Sequence, residues 1–219
     1  MALVELSDIR KSFGKVNVLG GINLSFGKER EYVIQGASGS GKSTLLYLLG
    51  GLDTPSSGKV MIDNMDLAHF GDEELAKYRN TFVGFVFQFH FLLSSLNCLD
   101  NILLPSKLGD FDESAIKNRV LELAHFLGVS HSLEKNPFEL SGGEQQRINI
   151  IRALSLKPKL LLCDEPTGSL DSENSAKVIG LLKKLSKEFG ATLVLVTHNG
   201  EIASTFDSII NIQDGLIKA

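Results

Sequence analysis

Eight residues, Gly36-Ala-Ser-Gly-Ser-Gly-Lys-Ser43, set glycines, a lysine and a hydroxyl in the order G-x-x-x-x-G-K-[ST]. Ala37, Ser38, Gly39, Ser40 and Gly41 are small enough for successive backbone N–H groups to turn inward around an anion. Lys42 then adds a point charge, Ser43 a hydroxyl that can reach magnesium, and Thr44 opens the apolar run Leu45-Leu-Tyr-Leu-Leu49. That chemistry is the grip of a nucleoside triphosphate. A flexible Gly/Ser turn is the plain alternative. The context argues against it, because Tyr32-Val-Ile34 upstream predicts a short buried strand and Thr44 to Leu49 a helix, so the loop faces a ligand with a helix N-terminus.

Three further places carry chemistry. Leu140-Ser-Gly-Gly-Glu-Gln-Gln-Arg147 starts a helix that can meet a phosphate: Ser141 and Glu144 have capping-box spacing, while Gly142 and Gly143 leave backbone N–H groups uncovered. A simple helix cap is the competing reading. Asp164-Glu165 ends the apolar run Leu160-Leu-Leu-Cys163, so one carboxylate is expected toward a metal and the next toward a water, with the chain bending at Pro166. Alone, the pair would read as a solvated strand end. His198 follows Ala191-Thr-Leu-Val-Leu-Val-Thr197, a strand expected to run parallel to the first and to end at the same rim. A structural histidine is the alternative there.

These residues need a frame. Val4, Leu6 and Ile9, then Ile22, Leu24 and Phe26, then Val60 and Ile62, alternate with period two and predict antiparallel strands flanking the phosphate loop. Asp72 to Arg79 predicts a helix with an acidic first turn, and Phe82 to Phe87 a strand ending at Gln88. From Asp112, an N-cap, Ile116, Val120, Leu123, Ala124 and Leu127 recur at helical spacing up to Gly128. A helix is expected from Glu173 to Phe189, closed by Gly190. Ile209-Ile-Asn-Ile212 and Leu216-Ile217 around Asp214-Gly215 predict a closing hairpin. Strand and helix alternate through the second half, which indicates a parallel sheet with covering helices. The segment from about 89 to 140 is read as a helical insertion.

With 219 residues, 43% of them apolar, the chain can bury one substantial core. No apolar stretch approaches the roughly 18 residues of a membrane span, and Met1-Ala-Leu-Val-Glu-Leu-Ser-Asp8 lacks the regions of a signal peptide, so a cytoplasmic protein is expected. Net charge is −4 with scattered cations, which argues against broad nucleic-acid contact. Lys183, Lys184 and Lys187 are read as a solvated helix face. Cys98 and Cys163 have neither metal-ligand spacing nor scaffold density and are read as reduced thiols.

With both phosphate-handling segments in view, the chain resembles the nucleotide-binding subunits of ABC transporters, whose signature is Leu-Ser-Gly-Gly-Glu-Gln-Gln-Arg. The likeness covers nearly the whole sequence. It implies an α/β fold: a P-loop NTPase, RecA-like core with a mainly parallel sheet, an N-terminal antiparallel β subdomain and an inserted α-helical subdomain, all in one domain over 1–219. It implies Phe13 as the aromatic stacked on adenine, Gly36 to Thr44 as the phosphate loop, and Gln88 as the glutamine that contacts magnesium and senses a membrane partner. Asp164 becomes the magnesium carboxylate, Glu165 the catalytic base, Ser169-Leu-Asp171 the dimer-contact loop and His198 the switch histidine. ATP and Mg2+ are the implied ligands. Ser141, Gly142 and Gly143 of one copy would close over ATP held by another, so the implied partners are a second copy and an integral membrane permease at the inner face of the cell membrane, with no nucleic acid.

Within the family, Gly50-Gly-Leu-Asp-Thr-Pro-Ser-Ser-Gly58 and Val86-Phe-Gln-Phe-His-Phe-Leu-Leu93 resemble the branch of lipoprotein-releasing, macrolide-exporting and cell-division ATPases. Phe89, Phe91, Leu92 and Leu93 are either ordinary core or a groove for a permease helix, and the groove is the expectation. Two departures stand out: Phe13 replaces the Tyr of many relatives, and Lys28-Glu-Arg-Glu31 lacks a glycine usual before the first core strand. The rival class is a soluble ATPase of the same family acting on DNA or ribosomes. Neither a long heptad insertion nor a second cassette supports it. A scaffold without turnover would lack Glu165 or His198, and both are present.

Overall fold

A computed structural model describes residues 2–109, 111–168 and 170–218. Strands β1 (Ala2–Phe13) and β2 (Val16–Gly27) form an antiparallel hairpin, and β4 (Ser57–Ile62) pairs with the free side of β1. The predicted alternation is there: Val4, Leu6, Ile9, Ile22, Phe26, Val60 and Ile62 all point inward and are 0–3% exposed. With β5 (Met65–Asp66) the sheet order is β2-β1-β4-β5.

The second sheet has the order β10-β9-β3-β8-β7-β6, built from β3 (Glu31–Gln35), β6 (Val83–Phe87), β7 (Leu160–Asp164), β8 (Thr192–Thr197), β9 (Ile209–Gln213) and β10 (Leu216–Lys218). All its pairings are parallel except the closing β9–β10 hairpin. Its central strands are continuous apolar runs because both faces are covered. Val33, Leu161, Cys163, Leu193 and Leu195 enter one core, while Ile34, Leu160, Leu162, Val194 and Val196 enter another shared with the antiparallel sheet and α1 (Lys42–Leu49). The parallel register puts Gln35 beside Thr197, and Asp164 beside both Val196 and Phe87. The candidate residues at these strand ends therefore share one rim.

Helix α2 (Asp72–Lys77) has the predicted acidic first turn, but it ends early. Residues Tyr78–Phe82 widen into a π-turn, so β6 begins at Val83 rather than Phe82. Between β6 and β7 lie α3 (Cys98–Lys107), α4 (Glu113–Phe126) and α5 (Gly142–Leu154). Asp112 caps α4 through the N–H groups of Ser114 and Ala115, and Gly128, at φ 67, follows its end. α6 (Ser172–Glu188) leads to β8, and the short α7 (Gly200–Ala203) to β9. Among the described residues no helix is long and apolar enough to cross a membrane.

Lys183 departs from the solvated reading. It donates to the Thr205 carbonyl at 2.7 Å, pairs with Glu31 at 3.1 Å and lies 4.5 Å over the Phe206 ring, so it pins α6 to the end of α7. The turn before β3 forms without glycine: Glu29 takes φ 57 and its N–H donates to the Thr192 hydroxyl. Cys98 and Cys163 are both free and buried, and burial pushes both thiols up.

Gly84 sets how closely β6 approaches α5. A Cβ there would lie 2.3 Å from the Ala153 carbonyl oxygen and 2.9 Å from Pro158. The obstacle is backbone, which cannot rotate away. Gly84→Ala is expected to destabilise by about 1–3 kcal/mol, and at roughly 2–4 °C per kcal/mol for a chain of this size the melting temperature should fall measurably in thermal denaturation.

Candidate active site

The loop from Gly36 to Gly41 joins β3 to α1 and is held in shape by its own backbone. Gly39 and Gly41 sit at φ 78 and 100, where a side chain would be strained, and a Cβ on Gly36 would lie 2.2 Å from the Ile212 carbonyl oxygen. The Lys42 ammonium donates to the Ala37 carbonyl at 2.8 Å, folded across its own loop. Ser40 is buried, and its hydroxyl has no partner among the described residues.

The Ser43 hydroxyl donates to Asp164 Oδ1 at 2.9 Å, joining α1 to the end of β7. Tyr47, one helical turn further along α1, donates to Asp164 Oδ2 at 3.0 Å. Burial first, and then the neighbouring carboxylate, push the Tyr47 phenol up to about 12. It therefore remains a donor at neutral pH.

Glu165 does not continue the strand. Its φ of 45 puts the bend at Glu165 itself, one residue before the expected Pro166, so the divergence of the two acids comes from a left-handed residue and not from strand alternation. The Glu165 N–H donates to the Val196 carbonyl at 3.0 Å, which ties the bend to β8. Its carboxylate accepts from the Thr197 hydroxyl at 3.2 Å and lies 2.8 Å from His198 Nδ1. An ionised Glu165 requires the proton on that nitrogen.

A cavity of about 930 Å³ is lined by Ala37, Ser38, Gly39, Gly41, Lys42, Ser43, Thr44, Gln88, Asp164, Glu165 and His198, with Tyr47, Phe87, Phe89 and Phe91 among its other walls. Most of the predicted site thus converges on one space. Phe13 does not line it; the ring is 53% exposed at the end of β1, with the Lys11 ammonium 4.8 Å from its centroid. Ser141, Gly142 and Gly143 also lie outside it, and Ser169 lies outside the described residues.

At the start of α5 the capping box is realised. Ser141 Oγ accepts from the Glu144 N–H at 3.4 Å and donates to Glu144 Oε2 at 2.6 Å, while Ser132 and His131 hold Oε1 at 2.8 and 2.9 Å. The Ser141 hydroxyl and N–H, followed by Ser132 and His131, hold the Glu144 carboxyl down at about 2. An added Cβ on Gly142 would meet nothing within 4 Å, and one on Gly143 only the end of Arg147. The helix start is both capped and open to an incoming group.

α5 also braces the cavity wall. Gln146 donates to the Pro166 carbonyl at 2.9 Å and Asn149 to the Phe87 carbonyl at 3.4 Å, while Arg152 donates to the His90 and Phe91 carbonyls at 2.7 and 2.9 Å. These residues, with Tyr47 and Thr197, are absent from the expected site. A signal existed for three of them: Gln146, Asn149 and Arg152 recur every three residues beside the apolar positions Ile148, Ile151 and Leu154.

The comparisons bear directly on this arrangement. A family model described as "ABC transporter" matches residues 19–168, from β2 through the phosphate loop, α5 and the acids after β7. The chain belongs to the ABC transporter family. The lipoprotein-releasing system ATP-binding protein LolD of Geobacter metallireducens is 44% identical over 100% of this chain and 99% of its own. The protein of the same name from Bdellovibrio bacteriovorus is 42% identical over 95% and 96%. Among solved structures, the dimeric structure of MJ0796, a bacterial ABC transporter cassette, superposes with a TM-score of 0.89 at 38% identity, covering 99% of this chain and 97% of that one. A dimeric post-hydrolysis state of the same cassette, bound to ADP and Pi, gives the same score, identity and coverage. The antiparallel and mainly parallel sheets are those of an ABC cassette, and the protein is the ATP-binding, ATP-hydrolysing subunit of an ABC transporter.

Proposed function

We propose that this ABC subunit pairs with a second copy around two ATP molecules and drives an integral membrane permease from the inner face of the cell membrane, with lipoprotein release as its transport task. The observation that carries the reading is the separation within one chain. The triphosphate grip, Asp164, Glu165 and His198 line one cavity, whereas the open helix start at Ser141, Gly142 and Gly143 lies outside it. A second copy would bring that helix start to the cavity, and the similar cassette MJ0796 is dimeric. Phe13 would stack on the adenine from the exposed end of β1. The chain works as one domain over 1–219, with about 89–140 as its helical subdomain within the RecA-like core.

The chemistry follows from the geometry. Backbone N–H groups of Gly36 to Gly41, Lys42 and Thr44 hold the phosphates, with Lys42 exchanging its bond to the Ala37 carbonyl for a phosphate oxygen. Glu165 orients a water and takes its proton, and His198 and Thr197 fix the carboxylate that does so. A magnesium ion fits the oxygen donors at hand, the Ser43 hydroxyl and the Asp164 carboxylate 2.9 Å apart, with Gln88 on the same cavity wall. When bound it would neutralise charge on the phosphates. Among the described residues no cluster of three or more acidic, His or Cys side chains offers a complete metal cage, which agrees with a cation that keeps water and phosphate ligands.

The lipoprotein assignment is supported by the full-length likeness to the LolD proteins of Geobacter metallireducens and Bdellovibrio bacteriovorus. Permease docking is supported by the segment after Gln88. Phe89, Phe91 and Leu93 are 70, 63 and 46% exposed, while Leu92 turns into the core. Copurification from detergent-solubilised membranes should bring down a permease with a large extracytoplasmic domain; recovery of ribosomes or DNA instead would favour the rival class. Leu93→Asp is expected to abolish that capture while leaving ATP affinity within about twofold, because Leu93 is exposed on this segment and lies outside the nucleotide cavity. Undiminished permease recovery by this variant would reject the docking surface.

A further inference from the structure

Asp164 is 8% exposed, and both of its oxygens are taken by hydroxyls from one helix. Ser43 and Tyr47 are four residues apart on α1, so they stand on one face of the helix, one above the other, against the end of β7. Ser43 binds Oδ1 and Tyr47 binds Oδ2, a two-point hold that fixes the plane of the carboxylate. The two donors are not equivalent. The Ser43 hydroxyl is the one a divalent cation would claim, leaving Tyr47 as the side chain still gripping Asp164.

We propose that Tyr47 is a positioning residue for the metal half of the site, its hydroxyl keeping the Asp164 carboxylate turned so that Oδ1 faces Ser43 when the cation enters. The inference rests on the reading of Ser43 and Asp164 as the magnesium site. Tyr47 touches neither nucleotide nor water in this role; it acts through Asp164. Groups that orient a metal's own ligands typically govern affinity by one to two orders of magnitude. The fold isolates this tyrosine well, because the other two serve elsewhere: the Tyr32 hydroxyl accepts from the Gly27 N–H at 2.7 Å, and Tyr78 donates to the Leu49 carbonyl at 2.6 Å.

The test is Tyr47→Phe in the full chain, with Mn2+ as the probe, titrated into the ADP-bound protein and followed by electron paramagnetic resonance. Mn2+ affinity is expected to fall about tenfold, while ADP affinity measured in EDTA stays within about twofold. Unchanged Mn2+ affinity overturns the inference. So does a parallel loss of metal-free ADP binding, which would mean that Tyr47 is only packing α1. If the unsubstituted protein with ADP binds no Mn2+ at this site, and Ser43→Ala makes no difference, the magnesium reading itself fails. A second measurement needs no variant. The chain has no Trp and three Tyr, so tyrosine emission should change as Mg2+ is added to the ADP complex, since the carboxylate accepting from Tyr47 loses part of its charge. Flat emission through a titration that saturates the site also overturns the inference.

Discussion

Glu165→Gln is expected to bind ATP as tightly as the unsubstituted protein, to lose about 10²- to 10⁴-fold in kcat, and to accumulate as a dimer in saturating ATP and magnesium. The substitution is informative because so little else changes. Gln has the shape of Glu, carries the same backbone cost at φ 45, and can still meet the Thr197 hydroxyl and His198. What disappears is the capacity to take a proton from water. If two copies clasp the nucleotide, an enzyme that cannot cleave it cannot let go. Gel filtration combined with a steady-state phosphate assay reads both effects. A variant that remains strictly monomeric under those conditions would remove the case for a shared site, and one with undiminished turnover would remove Glu165 as the base.

The second large effect is expected at Lys42. Lys42→Ala would remove the proposed charge-assisted bond to phosphate, worth about 1.5–3 kcal/mol, so nucleotide affinity should fall by roughly 10- to 150-fold. It also removes the 2.8 Å bond to the Ala37 carbonyl that spans the loop. The fold should survive, because Gly36 remains wedged against the Ile212 carbonyl and the Gly41 carbonyl still receives the Leu45 N–H. Titration with a fluorescent nucleotide, alongside a thermal melt in its absence, separates lost binding from lost structure. An affinity within twofold of the parent would mean that the backbone N–H groups alone hold the phosphates.

What the sequence disclosed was local. The phosphate loop, the Asp112 cap, the Ser141–Glu144 box and the alternation in β1, β2 and β4 each lie within a few residues of one another, so spacing alone carries them. What it withheld depends on distance or on a single torsion. Tyr47 sits in an apolar helix and looks like core until Asp164, 117 residues away, is brought to its hydroxyl. α3 carries Pro105 in its last turn, which obscures its helical pattern although Asn97 caps it by accepting from the Asp100 N–H. Lys183 reads as a solvated cation because its partners, Glu31 and the Thr205 carbonyl, come from distant strands and turns. The bend at Glu165 is invisible because Pro166 offers a ready explanation one residue too late.

That bend sets heat tolerance against turnover at a single position. A side chain other than Gly held in the left-handed region costs on the order of 1–2 kcal/mol, and at 165 the burden falls on the residue proposed as the base. Glycine or asparagine would relax the backbone there and leave a sturdier but silent protein. Screening this chain for thermal robustness alone would therefore tend to select inactive molecules, unless each survivor were also asked to release phosphate.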